Sequence, residues 1–332
     1  MLAFEPREPD ELLFSRHADA GTTSSRTLER DASDGRIHRI RPGVFGARTA
    51  WAEASDRRRA ILRTAAVVGT RRDRAVLSHE SAALLWGLPR LGRWPEAVEL
   101  ADARGTTPRS RNGVVWRRTR FDPDEVVEID GFLVTGLGQT LIDIARTRDF
   151  VGAVVALDAG VSTFLWNDDR VVARGAGRGA LLHRLDRVGS ARGVRGARRA
   201  VAFADGRSES PGESLSRARM HELGFPPPRL QVEFPRDSGG FDRVDFDWPE
   251  FGLFGEFDGD AKYLDARMRA GRPIERVILA EKKRAERITR RWGRREVRWD
   301  WRTAWSPDRL RRCLLEAGLP IVRADGVGSR PR

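Results

Sequence analysis

The amino-acid sequence predicts a multi-domain α+β protein, in which short helical and strand-like segments alternate along 332 residues. That length is sufficient for two or three domains, each with its own hydrophobic core. Hydrophobic residues make up 40% of the chain, and no apolar run approaches the roughly 20 residues that span a bilayer. The acidic start MLAFEPREPDELL also lacks a signal-peptide pattern. We therefore expect a cytoplasmic protein without a membrane partner.

Shifts in composition divide the chain into five segments, which are 1–50, 51–165, 166–207, 208–320 and 321–332. The first is expected to be a helix-turn-helix unit and the second a middle α/β domain. A basic helical linker, a C-terminal α/β domain and a disordered tail are expected to follow.

The strongest bulk signal is the formal charge of +13, from 61 Lys and Arg residues against 48 Asp and Glu residues. A basic surface favours polyanions, so DNA is the expected partner. The alternative is that an arginine-rich composition adds charge everywhere without a dedicated surface. The single cysteine, Cys313, excludes an intramolecular disulfide and a zinc site built from cysteines.

Segment 1–50 has the element order of a winged helix-turn-helix. A first helix is predicted over 11–20 and a second over 24–35, where Thr22, Thr23 and Ser24 form a capping cluster. A hairpin is predicted over 37–46. The residues expected to contact DNA are Ser24, Ser25, Arg26, Arg30, Arg39 and Arg41. The alternative is a helical protein-interaction module with solvated arginines.

Segment 51–165 predicts helices over 57–69 and 78–85, strands over 94–101, 113–121 and 128–136, and one or two helices over 139–162. His79 follows a helix cap and is expected to be a structural hydrogen-bonding residue. The Arg- and Gly-rich segment 166–207 predicts two helices, Asp169–Val188 and Val194–Ala204. It serves either as a basic connector that touches phosphates or as a solvated linker.

Three motifs within residues 1–165 resemble the antitoxin-type proteins of the AbiEi family. They are RIRPGVFG, AVLSHESAALLWGLP and EIDGFLVTGLGQTLIDIAR. The resemblance implies a DNA-binding winged helix followed by a domain of uncertain role, often in regulators that repress their own operon. A cognate toxin or another regulatory protein is then a possible partner.

The stretch FDRVDFDWPEFGLFGEFDGDAKY, residues 241–263, reads as two short strands that carry several carboxylates. By their period of two, Asp245 and Asp247 share one face of the first strand, and Glu256 and Asp258 share one face of the second. Lys262 follows just beyond. Gathered carboxylates repel one another, and a divalent cation relieves that cost. The alternatives are a solvated, salt-bridged sheet face and, for Asp258, an ordinary Asp-Gly turn.

Segment 208–320 predicts a helix, three strands, a helix over Pro273–Trp292, a strand and a last helix. Five blocks of it resemble the very short patch repair branch of the PD-(D/E)xK nucleases, which implies a restriction-endonuclease-like α/β/α domain. The blocks are Ser210-Pro211-Gly212-Glu213, Val244-Asp245, Glu256-Phe257-Asp258-Gly259 with Lys262-Tyr263, Glu281-Lys282-Lys283-Arg284-Ala285-Glu286, and Val297-Arg298-Trp299. Most members of the superfamily have their lysine two residues after the second acidic residue. Here that position is occupied by Asp258, and Lys262 stands four residues further on.

The resemblance implies phosphodiester hydrolysis with Mg²⁺ or Mn²⁺, and no small-molecule cofactor. Asp245, Glu256 and Asp258 are the expected metal ligands, and Lys262 is expected to orient water or stabilise charge on the phosphate. Glu213 is either a third acidic contributor or simply the carboxylate of a capping box. The residues expected to follow a phosphate backbone are Lys282, Lys283, Arg284 and Arg287, within a stretch of thirteen basic and four acidic residues from Arg267 to Arg298. A non-catalytic transcriptional regulator or antitoxin is the alternative.

Overall fold

The computed structural model describes residues 12–18, 24–71, 74–102, 110–119, 121–167, 170–259 and 274–322, without the side chains of 17–18 and 274–281. The chain divides into two compact units. The N-terminal unit is formed by Met1–Asp149 and Thr163–Ala202, and the C-terminal unit by Phe150–Ser162 and Phe203–Arg332. Both units combine helices with small sheets, which confirms the α+β fold class.

The first described element of the N-terminal unit is a strand rather than the helix predicted over 11–20. Its first sheet has the antiparallel order β1 (Leu12–Phe14), β3 (Val44–Ala47) and β2 (Ile37–Arg41). The helix prediction is wrong at this point because Leu12 and Phe14 are buried whereas Leu13 is 44% exposed, and this alternation is that of a strand. Within the predicted span, helix α1 covers Ser15–Ala18.

The predicted second helix and hairpin of this unit are confirmed. Helix α2 (Ser25–Ser33) begins after Ser24, whose Oγ accepts a hydrogen bond from the Thr27 N–H at 3.2 Å. Leu28 of this helix is buried against Phe45 of β3. β2 and β3 pair as the predicted hairpin.

The remaining N-terminal elements are helices and two-stranded sheets. The helices are α3 (Arg48–Glu53), α4 (Asp56–Gly69), α5 (His79–Trp86), α6 (Leu137–Thr147), α8 (Arg178–Val188) and α9 (Val194–Phe203). The strands are β4 (Val98–Ala101), β5 (Val114–Arg117), β6 (Val127–Ile129), β7 (Phe132–Val134), β8 (Phe164–Asn167) and β9 (Arg170–Arg174). β4 and β5 are parallel, and the other two pairs are antiparallel. As predicted, α5 begins after Ser78 and ends at Gly87, whose φ of +75° favours glycine.

The helix predicted over Asp169–Val188 is wrong in its first part, where the chain forms the β8–β9 hairpin and α8 begins only at Arg178. The hairpin forms because Leu165 is buried while Phe164 and Trp166 are half exposed, the alternation of a strand. Gly177 then lies directly before α8 as its capping residue, at a point where glycine disfavours a continuous helix.

The C-terminal unit is built on a four-stranded sheet in the order β10–β11–β12–β13. The strands are β10 (Arg229–Pro235), β11 (Phe241–Trp248), β12 (Leu253–Asp258) and β13 (Arg295–Asp300), and the helices are α7 (Phe150–Val161), α10 (Pro211–Leu223), α11 (Ile274–Trp292), α12 (Trp301–Trp305) and α13 (Pro307–Glu316). β10, β11 and β12 are antiparallel neighbours, whereas β12 and β13 are parallel. The predicted order of elements is confirmed, with the short α12 added after β13.

Helix α7 groups with the C-terminal unit although it lies within segment 51–165, and it packs against α10. A buried ion pair joins the two helices, since Arg217 Nη2 lies 2.7 Å from both Asp158 carboxylate oxygens. The Asp205 N–H donates a further hydrogen bond to Asp158 at 2.8 Å. The Arg217 guanidinium also stands over the Phe203 ring, 4.1 Å from its centroid.

Two glycines allow aromatic rings to approach the backbone closely in this unit. A Cβ at Gly212 would overlap the ring of Phe257, and a Cβ at Gly255 would lie 2.7 Å from Cη2 of Trp299. Gly212 is in the first turn of α10, so its contact with Phe257 holds that end of the helix against β12. Glu213, the next residue, is thereby placed beside the sheet.

Candidate carboxylate site

Glu213 is fixed at the start of α10 by the local sequence. Ser210 caps the helix by accepting a hydrogen bond from the Glu213 N–H at 3.2 Å, and Pro211 occupies the first helical position. Oε2 of Glu213 accepts a hydrogen bond from the Glu209 N–H at 2.9 Å. In a standard capping box the donor is the N–H of the capping residue itself, which here would be Ser210. The same oxygen accepts a second hydrogen bond, at 2.8 Å, from the Gln231 side chain. Glu213 therefore caps its helix and also reaches β10.

Gln231 on β10 connects two of the predicted acidic residues. Its Nε2 donates to Glu213 Oε2 at 2.8 Å and to Asp245 Oδ1 at 3.2 Å. The Gln231 backbone has a φ of +52°, which is costly for a residue with a side chain and is typical of functional sites. The other oxygen of Asp245 accepts the Phe257 N–H at 2.9 Å. Asp245 is thus held from both sides, by a side chain of β10 and by the backbone of β12.

Glu256 on β12 is the third member of the group and the least satisfied. It is buried, and its Oε1 lies 3.2 Å from Arg284 Nη2 on α11. Within the described residues, no donor makes a hydrogen bond to this oxygen, because the guanidinium is not aligned with it. The desolvation cost of this buried oxygen is therefore offset only in part, by the nearby charges of Arg284 and Arg298.

Electrostatics links the three carboxylates into one group, named here the carboxylate site and defined by Glu213, Asp245 and Glu256. Burial, followed by the charge of Asp245, raises the pKa of Glu213 to about 7. The same two causes raise the pKa of Glu256 to about 8, against the opposing charges of Arg284 and Arg298. The site therefore takes up protons near neutral pH, and it favours any cation that stabilises its ionised form.

The chemistry of the site fits a divalent cation, since Mg²⁺ and Mn²⁺ prefer carboxylate oxygens and the buried Glu256 Oε1 lacks a hydrogen bond. In the described part of the chain, however, no group of three or more His, Cys, Asp or Glu side chains stands ready to hold a metal ion. The Gln231 amide bridges Glu213 and Asp245 and so fixes two of the three side chains.

The sequence also predicts Asp258 and Lys262 as residues of the site. Asp258 ends β12, and its Oδ2 lies 3.8 Å from Arg298 Nη1. Its assignment as a metal ligand stays a prediction. Lys262 lies outside the described residues, so its role in catalysis also stays a prediction.

The four basic residues predicted on α11 fall into two classes. Lys282 and Lys283 are exposed, as expected for contacts with phosphate. Arg284 contacts Glu256 and also donates to the Arg243 carbonyl at 3.3 Å. Arg287 binds Asp242 through Nε at 2.9 Å and Nη2 at 2.7 Å. The arginines are therefore partly committed to contacts inside the unit.

The arginines predicted to contact DNA in the N-terminal unit also differ in their surroundings. Arg26 and Arg30 are exposed on α2. Arg39 forms an ion pair with Glu29 and stands over the Phe45 ring, 5.7 Å from its centroid. Arg41 is half-buried, and burial together with the charge of Arg71 lowers its pKa. These positions place Arg26 and Arg30 best for contact with an external partner.

Gln231 is the site residue that the sequence did not reveal. In the run LQVEFP it is one polar residue between two apolar ones, as is usual on a strand. Its importance depends on a left-handed backbone conformation and on the pairing of β10 with β11, neither of which has a signal in the sequence. The hydrogen bond from the Phe257 N–H to Asp245 also has no signal in the sequence, because its donor is a backbone group.

In the ranges that the structure describes, no helix has both the length and the apolar character needed to cross a bilayer. No family model matches the chain. Two similar proteins are the uncharacterized protein MT2308 of Mycobacterium tuberculosis (strain CDC 1551 / Oshkosh) and the uncharacterized protein Rv2248 of Mycobacterium tuberculosis (strain ATCC 25618 / H37Rv). Each is 33% identical to this chain over 130 residues, which are 39% of this chain and 44% of the relative. The matched part thus spans less than half of each relative.

Proposed function

We propose that this protein binds DNA in the cytoplasm and hydrolyses phosphodiester bonds at the carboxylate site with Mg²⁺ or Mn²⁺. The observation that carries the proposal is the buried group of Glu213, Asp245 and Glu256. Two of these carboxyls have pKa values raised to about 7 and about 8, and Glu256 Oε1 has no hydrogen bond within the described residues. Such a group is costly to keep in a fold unless a cation uses it.

In this proposal Asp245 and Glu256 hold the cation, and Glu213 contacts it directly or through water. A divalent cation bound there would lower the pKa of a water molecule and neutralise charge on the scissile phosphate. Asp245 is already oriented by Gln231 and by the Phe257 N–H, as a ligand held in advance should be. Lys262 is proposed to orient the water or to stabilise charge on the phosphate.

DNA contact is proposed for two surfaces. In the C-terminal unit, Lys282 and Lys283 are exposed on α11, directly before Arg284, which contacts Glu256. In the N-terminal unit, Arg26 and Arg30 are exposed on α2, which precedes the β2–β3 hairpin as the second helix of a winged helix-turn-helix precedes its wing. The order of elements in segment 208–320 supports the proposed restriction-endonuclease-like fold.

The test is a cleavage assay with the full chain on duplex DNA, single-stranded DNA and RNA, in Mg²⁺, in Mn²⁺ and in EDTA. We expect cleavage that requires the metal and that falls at least about 100-fold in Asp245→Asn and Glu256→Gln, because each substitution removes a proposed ligand. Glu316→Gln is the matched control, since Glu316 is an exposed carboxylate on α13. Cleavage that survives both site substitutions would overturn the assignment.

A non-catalytic DNA-binding regulator or antitoxin is the second candidate, and one observation favours it. The guanidinium of Arg284 already supplies positive charge beside Glu256, in the place where a nuclease needs a metal ion. This candidate predicts tight binding to the protein's own upstream DNA and no cleavage in any metal. Arg26→Ala with Arg30→Ala would then weaken binding, whereas Glu256→Gln would leave it unchanged.

A further inference from the structure

A second candidate site lies in the C-terminal unit, in a cavity of about 450 Å³ between the β10–β11 turn and the last turns of α11. None of the three carboxylates lines it. The basic residues that line it are Arg236, Lys283, Arg287, Arg290 and Arg291, and the acidic ones are Asp237, Asp242 and Glu286. Trp292 completes the lining with an aromatic surface. The cavity therefore presents an excess of positive charge next to an indole ring.

Internal ion pairs use only part of this charge. Asp242 is shared by Arg236 and Arg287, and Asp237 pairs with Arg291. Lys283 and Arg290 are exposed, and neither has a carboxylate partner in the described part of the chain. The cavity thus retains two cationic groups and one carboxylate, Glu286, without an ion pair among the described residues, which leaves a net positive charge for an anion from outside.

Trp292 is the aromatic part of the cavity. Its ring centroid lies 5.7 Å from that of Phe234, at an interplanar angle of 60°, and 5.3 Å from the Arg291 guanidinium carbon. These two neighbours hold the indole in place, yet the residue is still 43% exposed. An exposed indole that is fixed by its neighbours offers a stacking surface at little cost in conformational entropy.

We propose that this cavity binds one unstacked nucleotide of a single-stranded nucleic acid, with its base on Trp292 and its phosphate at Lys283 and Arg290. Nucleotides combine an anion with a flat aromatic group, and the cavity offers a partner for each. Its volume is in the range of small-molecule pockets. A base that is paired and stacked within a duplex cannot place its face on an indole, so the cavity selects single strands.

The inference rests on the proposed function for its biological setting, and the geometry of α11 relates the two sites. Arg284, which contacts Glu256, and Trp292 are eight residues apart on this helix. At about 1.5 Å per residue, this is about 12 Å along the helix axis, or roughly three to four steps of a stacked strand at about 3.4 Å each. A single strand whose phosphate lies at the carboxylate site can therefore place a nearby base on Trp292.

The experiment measures binding of the full chain to fluorescently labelled oligo(dT), oligo(rU) and a DNA duplex of equal length, by anisotropy in EDTA so that nothing is cleaved. Trp292→Leu removes the stacking face but keeps an apolar contact for Phe234. The matched control is Trp305→Leu on α12, in the same unit and 52% exposed. Lys283→Ala with Arg290→Ala tests the phosphate contact, and Arg311→Ala with Arg312→Ala on the exposed face of α13 is its charge-matched control.

We expect Trp292→Leu to weaken binding of single strands about tenfold, the usual scale for one stacked base, and to change duplex binding less than twofold. Trp292→Phe should restore most of the loss. Tighter binding of oligo(rU) than of oligo(dT), with the same dependence on Trp292, would support the inference and identify RNA as the ligand. Equal affinities of the Trp292 and Trp305 variants, an equal loss on duplex, or no binding of single strands by the wild type would overturn it.

The two proposals fail separately in this design. If the wild type cleaves DNA in Mg²⁺ while Trp292→Leu binds single strands normally, the nucleotide site is wrong and the nuclease proposal stands. If Trp292 governs the binding of single strands but no metal supports cleavage, the nucleotide site stands and the nuclease proposal fails.

Discussion

Two of the buried acidic regions in the described part of the C-terminal unit differ in how their oxygens are satisfied. At the contact of α7 with α10, both oxygens of Asp158 accept hydrogen bonds from Arg217, and Asp205 adds a backbone donor. At the carboxylate site, Glu256 Oε1 has no hydrogen bond from the described residues, and the charge of Asp245 acts on this carboxyl group. Burial raises the pKa of Asp158 as it does that of Glu256, so a raised pKa alone does not separate the two.

The difference in hydrogen bonding does separate them. A buried charge that serves the fold is accompanied by its partners, because an unpaired one costs several kcal/mol. The Asp158–Arg217 pair meets that condition and holds two helices together. At the carboxylate site, Glu256 Oε1 has no such partner among the described residues, and the proposed cation site rests on this observation.

The largest expected effect comes from removing one arginine from each region. Arg217→Met leaves Asp158 buried without its cation, so we expect a loss of about 3–5 kcal/mol in the free energy of unfolding. Arg284→Met, the matched change beside Glu256, should cost less than about 1 kcal/mol because that arginine is partly exposed and poorly aligned. Urea unfolding of both variants, followed by circular dichroism, measures these values. Equal losses would remove the distinction between the two regions.

The pH dependence of stability is the next effect in size. The pKa of Glu256 is raised from 4.5 to about 8 on folding, so the folded state holds its proton more tightly than the unfolded state. Its contribution to stability is therefore complete below about pH 4.5 and is lost as the pH rises through 8. We expect metal-free wild type to lose about 4 kcal/mol more than Glu256→Gln between pH 5 and pH 9.

The comparison with Glu256→Gln is needed because burial also raises the pKa of Asp143, in the N-terminal unit, to about 7. Asp143 therefore also contributes a loss of stability as the pH rises. The difference between the two proteins removes that shared part. Saturating Mg²⁺ should stabilise the wild type more at pH 8 than at pH 5, because the cation needs the ionised carboxylates. A pH dependence that is the same in both proteins would show that Glu256 does not titrate as described.

Gln231 tests whether the site is held together by its own donor. Gln231→Leu keeps the size of the side chain but removes the hydrogen bonds to Glu213 and Asp245. We expect Mn²⁺ affinity to fall about tenfold, the lower end of the range for residues that orient metal ligands. The control is Gln139→Leu in the N-terminal unit, which should leave Mn²⁺ affinity unchanged. An unchanged affinity in Gln231→Leu would show that the amide has no positioning role.

The smallest effect concerns the helix cap that places Glu213. Ser210→Ala removes the acceptor for the Glu213 N–H and should cost about 1 kcal/mol of stability. Ser306→Ala removes the cap of α13 and should cost a similar amount. Calorimetric titration with Mn²⁺ separates the two, since only Ser210→Ala should weaken binding. If both variants bind Mn²⁺ as the wild type does, the position of the helix start has no influence on the site.

The sequence predicts the fold where local signals are strong. The capping residues Ser24 and Ser210 mark the beginnings of two helices, and Gly87 marks the end of a third. Sequence patterns fail over 12–14 and over 170–174, where short runs with apolar residues form strands that depend on partners elsewhere in the chain. Short apolar runs of this kind occur both in helices and in strands, and pairing with another strand decides which structure forms.

The candidate site is predictable only in part, for the same reason. Alternation along two strands is sufficient to propose Asp245 and Glu256 as neighbours. The position of Glu213 beside them depends on the close approach of Gly212 to Phe257, and the role of Gln231 depends on its φ of +52°. The grouping of α7 with the C-terminal unit is likewise a tertiary effect, because the Asp158–Arg217 pair joins residues 59 positions apart.

The most direct test of the carboxylate site is the number of Mn²⁺ ions bound per chain at pH 8, measured by electron paramagnetic resonance of the free ion. The full chain should bind Mn²⁺ with a stoichiometry that falls by about one in Asp245→Asn and in Glu256→Gln, because each ligand substitution removes the same site. Asp158→Asn, a buried carboxylate that already has its cation, should leave the stoichiometry unchanged. Wild-type stoichiometry and affinity in both Asp245→Asn and Glu256→Gln would contradict the proposed cation site.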